Sequence, residues 1–405
     1  MAKQHVNKPL SVFSIFLLYA LSLSGLSFAG GPRDVEGDGT YYRWNPNQPV
    51  KFTIDQEAQF DPSLAKLVRN AFQAWADIST AALTFSDEGF LSQDINVENY
   101  ESYFGIGSDN PPILPENPII IDSNGAITDD LFGSGASSSV LGFAGPRFFN
   151  VPNREIISAW AVLNQKLTND DTFPRVIRHE LGHLLGLDHA QGFQENADQV
   201  NSWGMAVPLM YPYMLSRGPD GPITDDIAWF SWMYPTENFA VETGTIKGRV
   251  LRRSGAAFQG ANVVATPVFE NSDGTFRRDR REVTSVVSDF LWQGTGEYEL
   301  PGLRPGKYLV SIEPIRGQFT GSSGVGPFDV RPTNFPVDFY DQNESFEEDP
   351  TLKTVVEVVA GSVVTGIDII ANEVVNDLKS LGDDDEMLYE FPEGFHFPFY
   401  GKVYS

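Results

Sequence analysis

Apolar positions recur at helical spacing early in the chain. Leu64, Leu67, Val68, Ala71, Phe72 and Trp75 fall on one face. Asp61-Pro62 ahead of them offers a capping carboxylate and a proline at the first helical position, which predicts a helix starting there. Val50-Lys51-Phe52-Thr53-Ile54 alternates in and out as a strand does. Further strands are expected at Tyr41-Tyr42-Arg43-Trp44, from Leu83-Thr84-Phe85, at Ile119-Ile120-Ile121, at Val140 to Pro146 and at Ile156 to Leu163. Glu88 to Pro118 and Gly125 to Ser139 read as loops, because Asn, Ser, Pro and Gly dominate them. Phe173-Pro174 opens a second long helix. Thr224, read as an N-cap before Asp225 and Asp226, opens a third that Pro235 ends.

From Gly244 the pattern changes to short strands with regular turns. Gly244 to Val250 and Gly260 to Ala265 are two of them. Gly296 to Tyr308 reads as strand, tight turn, strand. Strands to about Ala371 would complete an all-β unit. Asn376 to Glu386 is an acidic linker. Phe395 to Ser405 is aromatic-rich and reads either as the opening of a further β-domain or as a tail packing on the preceding one.

The 405 residues suffice for two or three domains, and 41% hydrophobic and 13% aromatic content allows buried cores. The net charge of −26, from 54 acidic and 28 basic residues, argues against a nucleic-acid partner, which needs clustered Lys and Arg. The chain has no cysteine, so neither disulfides nor thiolate ligands enter the argument. Met1 to Ala29 reads as a secretory leader: Lys3 and Lys8 lead, Phe13 to Leu21 is apolar, and Ser27-Phe28-Ala29 ends in small residues where a signal peptidase reads. An uncleaved anchor is the alternative, weakened by the serines and Gly25 in that stretch. No later segment is long and apolar enough to span a bilayer.

The chemistry concentrates in His179-Glu180-Leu181-Gly182-His183-Leu184-Leu185-Gly186-Leu187-Asp188-His189, which holds three of the five histidines. Residues four apart on a helix share a face, so His179 and His183 can present two imidazoles to one ion. Glu180 lies beside them, placed to take a proton from water. Gly186 can end the helix in a left-handed turn and bring His189 back as a third ligand. Three protein ligands leave a fourth position open, as in a catalytic rather than a structural zinc site. Two histidines on a surface helix with no ion to hold would be the plain alternative, and the fixed Gly186 and His189 spacing argues against it.

This H-E-x-x-H-x-x-G-x-x-H stretch resembles the metzincin metallopeptidases, and Asp188 before the last histidine resembles their matrixin branch. The resemblance covers roughly Tyr41 to Pro235. It implies that Leu141, Gly142, Phe143 and Ala144 form the edge strand above the metal, to which an extended peptide adds. It implies that Met210, in Leu209-Met210-Tyr211-Pro212, is the methionine turn beneath the metal. The spacing from His189 is longer than usual for matrixins, and Met205 and Met214 stand nearby. Pro212 stands where some metzincins place a tyrosine ligand. Gly296 to Tyr308 resembles the carboxypeptidase-regulatory-like or collagen-adhesin B-type β-sandwich, an accessory module that says little of function.

The expected fold is an α+β zincin-type catalytic domain, a mixed twisted sheet plus long helices, followed by an all-β sandwich. The expected divisions are a leader at 1–29, a flexible lead-in at 30–40, the peptidase domain at 41–240, the sandwich at 243–375, and the linker and tail at 376–405. The expected function is a secreted or cell-surface zinc endopeptidase, of bacterial kind, acting on proteins or peptides with Glu180 as general base. An extracellular adhesion protein with an inactive peptidase domain is the alternative, and a cell-surface or matrix ligand would then bind the sandwich. One catalytic zinc is expected on His179, His183 and His189. No second, structural zinc is expected, since only His396 remains. Calcium is a further candidate through Asp122, Asp129 and Asp130. The stretch between Ala29 and Tyr41 is too short for a folded pro-domain, so cleavage after Ala29 is expected to release an active enzyme. Asp34, Glu36 and Asp38 are read there as solvated acids.

Overall fold

The computed structural model describes residues 30–104, 117–167, 171–315, 335–345, 350–372, 397–399 and 402–404. The expected leader, the acidic linker and His396 lie outside the described residues. The chain is mixed α/β and rich in strand, with several sheets.

The alternating segment forms β1 (Val50–Ile54), with Val50, Phe52 and Ile54 inward. Helix α1 (Pro62–Ala76) follows, and the Asp61 carboxylate accepts from the backbone N–H of Ser63 at 3.0 Å and Leu64 at 3.3 Å. Leu64, Val68, Ala71, Phe72 and Trp75 are its buried face. Phe72 stacks on Phe52 of β1 with ring centroids 3.8 Å apart, which pins α1 to the sheet. Then come β2 (Phe85–Phe90), β3 (Pro118–Asp122), α2 (Ala126–Phe132), β4 (Gly142–Asn150) and β5 (Glu155–Asn164). The five strands form one sheet in the order β2-β1-β3-β5-β4. All pairings are parallel except β4 against β5, which is antiparallel and leaves β4 at the edge.

Three local expectations differ from this. Gly125 to Ser139 is not a loop throughout, because α2 forms within it. The Asp122 carboxylate at the end of β3 reaches forward to the backbone N–H groups of Ile127, at 3.2 Å, and Thr128, at 2.9 Å. A cap delivered from a strand leaves no local spacing signal. The stretch from Glu88 likewise carries the end of β2 and a short helix, Tyr100–Phe104. Tyr41 to Trp44 makes only isolated bridges, Tyr41 to Val35 and Arg43 to Glu155, rather than a strand. Trp44 is buried instead, its indole N–H donating to the Leu184 carbonyl at 3.0 Å.

Helix α3 (Phe173–Leu184) lies against α1, where the Trp75 indole N–H donates to the Arg178 carbonyl at 3.0 Å. It is buried on nearly every side, charged residues included, which marks it as a core element and not a surface helix. Helix α4 (Thr224–Met233) is preceded by Ile223, so Thr224 is its first helical residue and not its N-cap. The Thr224 hydroxyl donates to Glu282, and Asp226 accepts the Ile223 backbone N–H at 2.9 Å.

After a short α5 (Glu237–Glu242), the chain is all strand: β6 (Gly244–Leu251), β7 (Ala261–Glu270), β8 (Phe276–Arg278), β9 (Thr284–Val287), β10 (Glu297–Leu303), β11 (Gly306–Pro314), β12 (Asp338–Phe339), β13 (Val356–Val358), β14 (Val363–Val364) and β15 (Ile369–Ile370). One sheet runs β10-β6-β14, with β15 also on β6. The other runs β12-β11-β7-β8, with β13 on β11 and β9 on β7. The turn at Arg304-Pro305 therefore joins two sheets, and β10 and β11 are not partners. The backbone of Phe397–Phe399 pairs antiparallel with Lys402–Tyr404.

The two halves share one apolar core, from Trp75 and Leu181 through Trp229 and Phe290 to Val263 and Ile312. Trp229 of α4 carries the junction. Its indole N–H donates to the Ser285 carbonyl of β9 at 2.8 Å, and its ring meets Phe290 at 5.3 Å. Gly192, three residues after the last histidine, donates to the Ser285 hydroxyl at 3.0 Å. The sandwich thus braces the loop that carries the site.

The lead-in is also packed rather than flexible. Gly30, Gly31, Asp34 and Val35 are buried. Pro32 bridges Leu187, the Arg33 backbone N–H donates to the Gly186 carbonyl at 2.8 Å, and Asp188 donates to the Gly31 carbonyl at 3.1 Å. Gly31 has φ of +115°, and a β-carbon there would press on the Trp229 ring.

Candidate metal centre

His179 and His183 stand one turn apart on α3. Gly186, at φ +91°, turns the chain after the helix, as its sequence position suggests. His189 then returns to the same side. The three rings have centroids 4.5 to 5.3 Å apart, and one ligand atom from each lies within 4.8 Å of the others. Among the described residues this is the one group of three His, Cys, Asp or Glu side chains able to hold a metal ion.

The second contacts of the rings fix their protonation. The His179 Nδ1 lies 2.7 Å from the Leu209 carbonyl, and the His183 Nδ1 lies 2.9 Å from the Leu187 carbonyl. A carbonyl only accepts, so both Nδ1 atoms carry the proton and both Nε2 atoms present lone pairs. The His183 and His189 Nε2 atoms lie 3.1 Å apart. Burial pushes the His179 imidazole below its usual range. Burial, then the neighbouring His189, His179 and Arg33, push His183 well below it. Neutral His179 and His183 imidazoles that turn their Nε2 lone pairs toward His189 suit a metal ion, so the donor set fits one.

Glu180 is buried at 5% exposure beneath β4. A β-carbon on Gly142 would lie 2.8 Å from its Cγ and 2.9 Å from its Oε1, so the glycine makes room for the acid. Burial pushes its carboxyl up to about 8, against the Arg33 guanidinium, which pulls it down. A cleft of about 320 Å³ opens over Glu180 and the three imidazoles. Leu141 and Gly142 line one wall, and Tyr211 to Met214 line the other.

The other site residues expected from sequence fall into two groups. Leu141 and Gly142 line the cleft, while Phe143 faces away into a cluster with Ile120, Val162 and Trp160. The Ala144 carbonyl is taken by Arg33. Met210 is buried below Gly182 of α3, while Met205 is 59% exposed and Met214 lines the cleft. The calcium candidates do not converge. Asp122 caps α2, Asp129 accepts the Ser137 backbone N–H, and Asp130 accepts the Tyr100 hydroxyl.

Two residues that shape the surroundings of the site had no sequence signal. Asp226 accepts the backbone N–H groups of Leu209 and Met210, both at 2.9 Å, and so holds the turn whose carbonyl orients His179. Arg33 comes from the segment read as flexible and lies beside Glu180. Neither has a fixed spacing to the histidine motif, since both arrive through folding.

A larger cavity, of about 430 Å³, is lined by residues of β6, β10 and the loop from Asp289 to Thr295. Four of its charges form two pairs, Lys247 to Glu299 at 2.9 Å and Arg249 to Asp368 at 2.7 Å, and none of the three clustered histidines lines it.

No family model matches the chain, and no curated protein matches it. Among solved structures, the chain is similar over 32% of its length to the group B streptococcus pilus 2b backbone protein, at 13% identity and a TM-score of 0.16. That match spans 41% of the pilus protein. A candidate carbohydrate binding protein from Pseudomonas aeruginosa matches 31% of this chain and 90% of its own, at 15% identity and a TM-score of 0.17. Superpositions this slight define neither a shared fold nor a shared activity. Among the described residues no helix is long and apolar enough to cross a membrane.

Proposed function

We propose that this chain is a secreted zinc endopeptidase of the metzincin kind, with a matrixin-like zincin domain braced by a β-sandwich. The observation that carries the reading is the convergence of His179, His183 and His189 with buried Glu180 beneath an edge strand. Three imidazole donors with no thiolate suit a catalytic zinc with an open position. When bound there, the ion supplies Lewis acidity toward a carbonyl and a water.

The residues of the chain account for the remaining steps. The outer edge of β4 offers unpaired backbone groups to an extended peptide, which orients the scissile bond over the cleft. Glu180 takes one proton from the attacking water as the new C–O bond forms. It then passes that proton to the amide nitrogen as the C–N bond breaks, so proton and electron pairs balance.

A second reading is an extracellular binding protein with a silent peptidase domain. The Arg33 bond to the Ala144 carbonyl favours it, because it occupies part of the edge a peptide would use.

The test is the purified chain with a proteome-derived peptide library, with and without a chelator, alongside metal analysis. About one zinc per chain, cleavage, its loss on chelation and its return with zinc are the expected results. A zinc-loaded chain that cleaves nothing would leave the binding reading.

A further inference from the structure

We propose that Arg33 is a specificity residue of the cleft: it closes the peptide-binding edge of β4 at Ala144 and selects substrates carrying a carboxylate on that side of the scissile bond. This inference rests on the peptidase reading above.

The placement of Arg33 is fixed from both ends. Its backbone N–H donates to the Gly186 carbonyl at 2.8 Å, and Pro32 beside it bridges Leu187. It is therefore tied to the loop between the second and third histidines. Its guanidinium crosses to β4 and donates to the Ala144 carbonyl. A β-carbon on Gly145 would overlap that guanidinium and lie 2.9 Å from its Nη2, so the strand is bare where the side chain crosses.

The Ala144 carbonyl points to the open side of the sheet. The Leu141 carbonyl accepts from Asn164 at the end of β5, so it points inward. Along an antiparallel edge the pointing alternates, which turns Gly142 and Ala144 outward. A peptide adding to this edge meets Gly142 beside Glu180, with no hydrogen bond to its outward backbone groups among the described residues. It finds Ala144 already bonded. Strand addition is blocked at Arg33.

The charge chemistry then decides what fits. A guanidinium has five N–H donors and no acceptor. Arg33 is half-buried; Glu180 and Asp34 stand near enough to feel its charge, but no carboxylate among the described residues forms an ion pair with it. The cleft itself is lined as far as Gly142, and Arg33 stands two residues further along the same strand edge, where a peptide extended along β4 would meet its remaining donors. A carboxylate can accept two parallel N–H bonds there, whereas an ammonium or a lysine is repelled. Two sources share this chemistry, an Asp or Glu side chain and a free C-terminal carboxylate.

The experiment measures kcat/KM of the full chain on matched peptides. One arm exchanges Glu for Gln at each position on either side of the scissile bond. The other compares free-acid and amidated C-termini. The native chain should favour the carboxylate at one position by about tenfold, mainly through KM, as charge-assisted hydrogen bonds do. Whichever arm shows the preference names the source. In Arg33→Gln the ratio should fall toward one, and Arg33→Lys should keep part of it. A native chain that cleaves peptides with no acid preference, or an Arg33→Gln that keeps the preference, overturns the proposal and leaves the peptidase reading standing. Equal acceleration of both peptides in Arg33→Gln also overturns it, since the guanidinium is then an obstruction. A native chain that cleaves nothing overturns both. Should Arg33→Gln not fold, Arg33→Lys, which keeps the charge but not the paired donors, decides: a preference undiminished in it overturns the proposal.

Discussion

Met210 occupies the space that a β-carbon on Gly182 would need. Such an atom would fall on the Met210 sulfur and lie 2.9 Å from its terminal methyl. Gly182 sits on α3 between the two helical histidines, so the methionine packs directly beneath them. Gly182→Ala should therefore push Met210 aside, with an overpacking cost of about 1–3 kcal/mol. Thermal unfolding and zinc titration would both register it. A variant that melts like the native chain and binds zinc equally well would show that the contact is slack.

Glu180 and the histidines should separate by function. Glu180→Ala should keep the metal and lose about two to four orders of magnitude in peptide cleavage, the range for a removed general base. His183→Ala should lose both metal and cleavage. Metal content measured beside turnover distinguishes them. Near-native turnover in Glu180→Ala would refute the role given to it.

Asp226 links the Leu209-Met210 turn to the three clustered histidines without being one of the candidate ligands. Asp226→Ala frees the Leu209 and Met210 backbone N–H groups, and with them the carbonyl that orients His179. Zinc affinity should fall about tenfold or more, as when the group orienting a ligand is removed. Competition with a chelator of known affinity would measure it. Unchanged affinity would mean that the turn holds itself.

Asp34 makes a pH prediction. It is buried, neither of its carboxylate oxygens has a hydrogen-bond partner among the described residues, and burial pushes its carboxyl up to about 6. The folded value lies above the unfolded one. Its contribution to stability is thus full below about pH 4 and is lost as pH rises through 6. Asp34→Asn should gain on the native chain between pH 4 and pH 7, by an amount on the order of 2 kcal/mol. Melting curves of both proteins across that range would show the gap opening with pH. A constant gap would place a compensating charge beside Asp34.

The junction with the sandwich predicts a dependence of the site on a distant strand. Trp229 anchors both sides of it. Trp229→Ala should cost about 3–5 kcal/mol, as large core truncations do, and should weaken zinc retention with it. Melting and metal content measured together would reveal the coupling. Zinc retention unchanged in a destabilised variant would show that the sandwich supports the fold alone.

Much of this molecule was legible where the governing interaction is local. The face of α1 and its Asp61 cap follow from one helical period and one side chain two or three residues away. The three imidazoles come together because an i, i+4 pair shares a helix face and Gly186 allows a single left-handed turn. The strand at β1 is equally local, although its alternation is not complete, since Thr53 is buried beside Phe52 and Ile54 and only Lys51 is exposed. Interactions that span the fold were not legible. Helix α2 was hidden because its cap, Asp122, belongs to a strand. Thr224 reads as a cap, yet Ile223 precedes the helix and Asp226 takes up its N–H. The Gly-rich lead-in looks flexible because the surface that buries it, the loop from Gly186 to His189, lies far along the chain.

The sequence by itself therefore determined the donor atoms and their spacing, since these depend on residue type and on a backbone period. Tertiary structure decided which charges surround those donors. Arg33 reaches Ala144 across 111 positions of chain, and Asp226 reaches Leu209 across 17. Such pairings are set by how the core closes around α3, through apolar contacts that carry no directional code. A guanidinium can therefore stand beside Glu180 with nothing in its own neighbourhood of sequence to announce it.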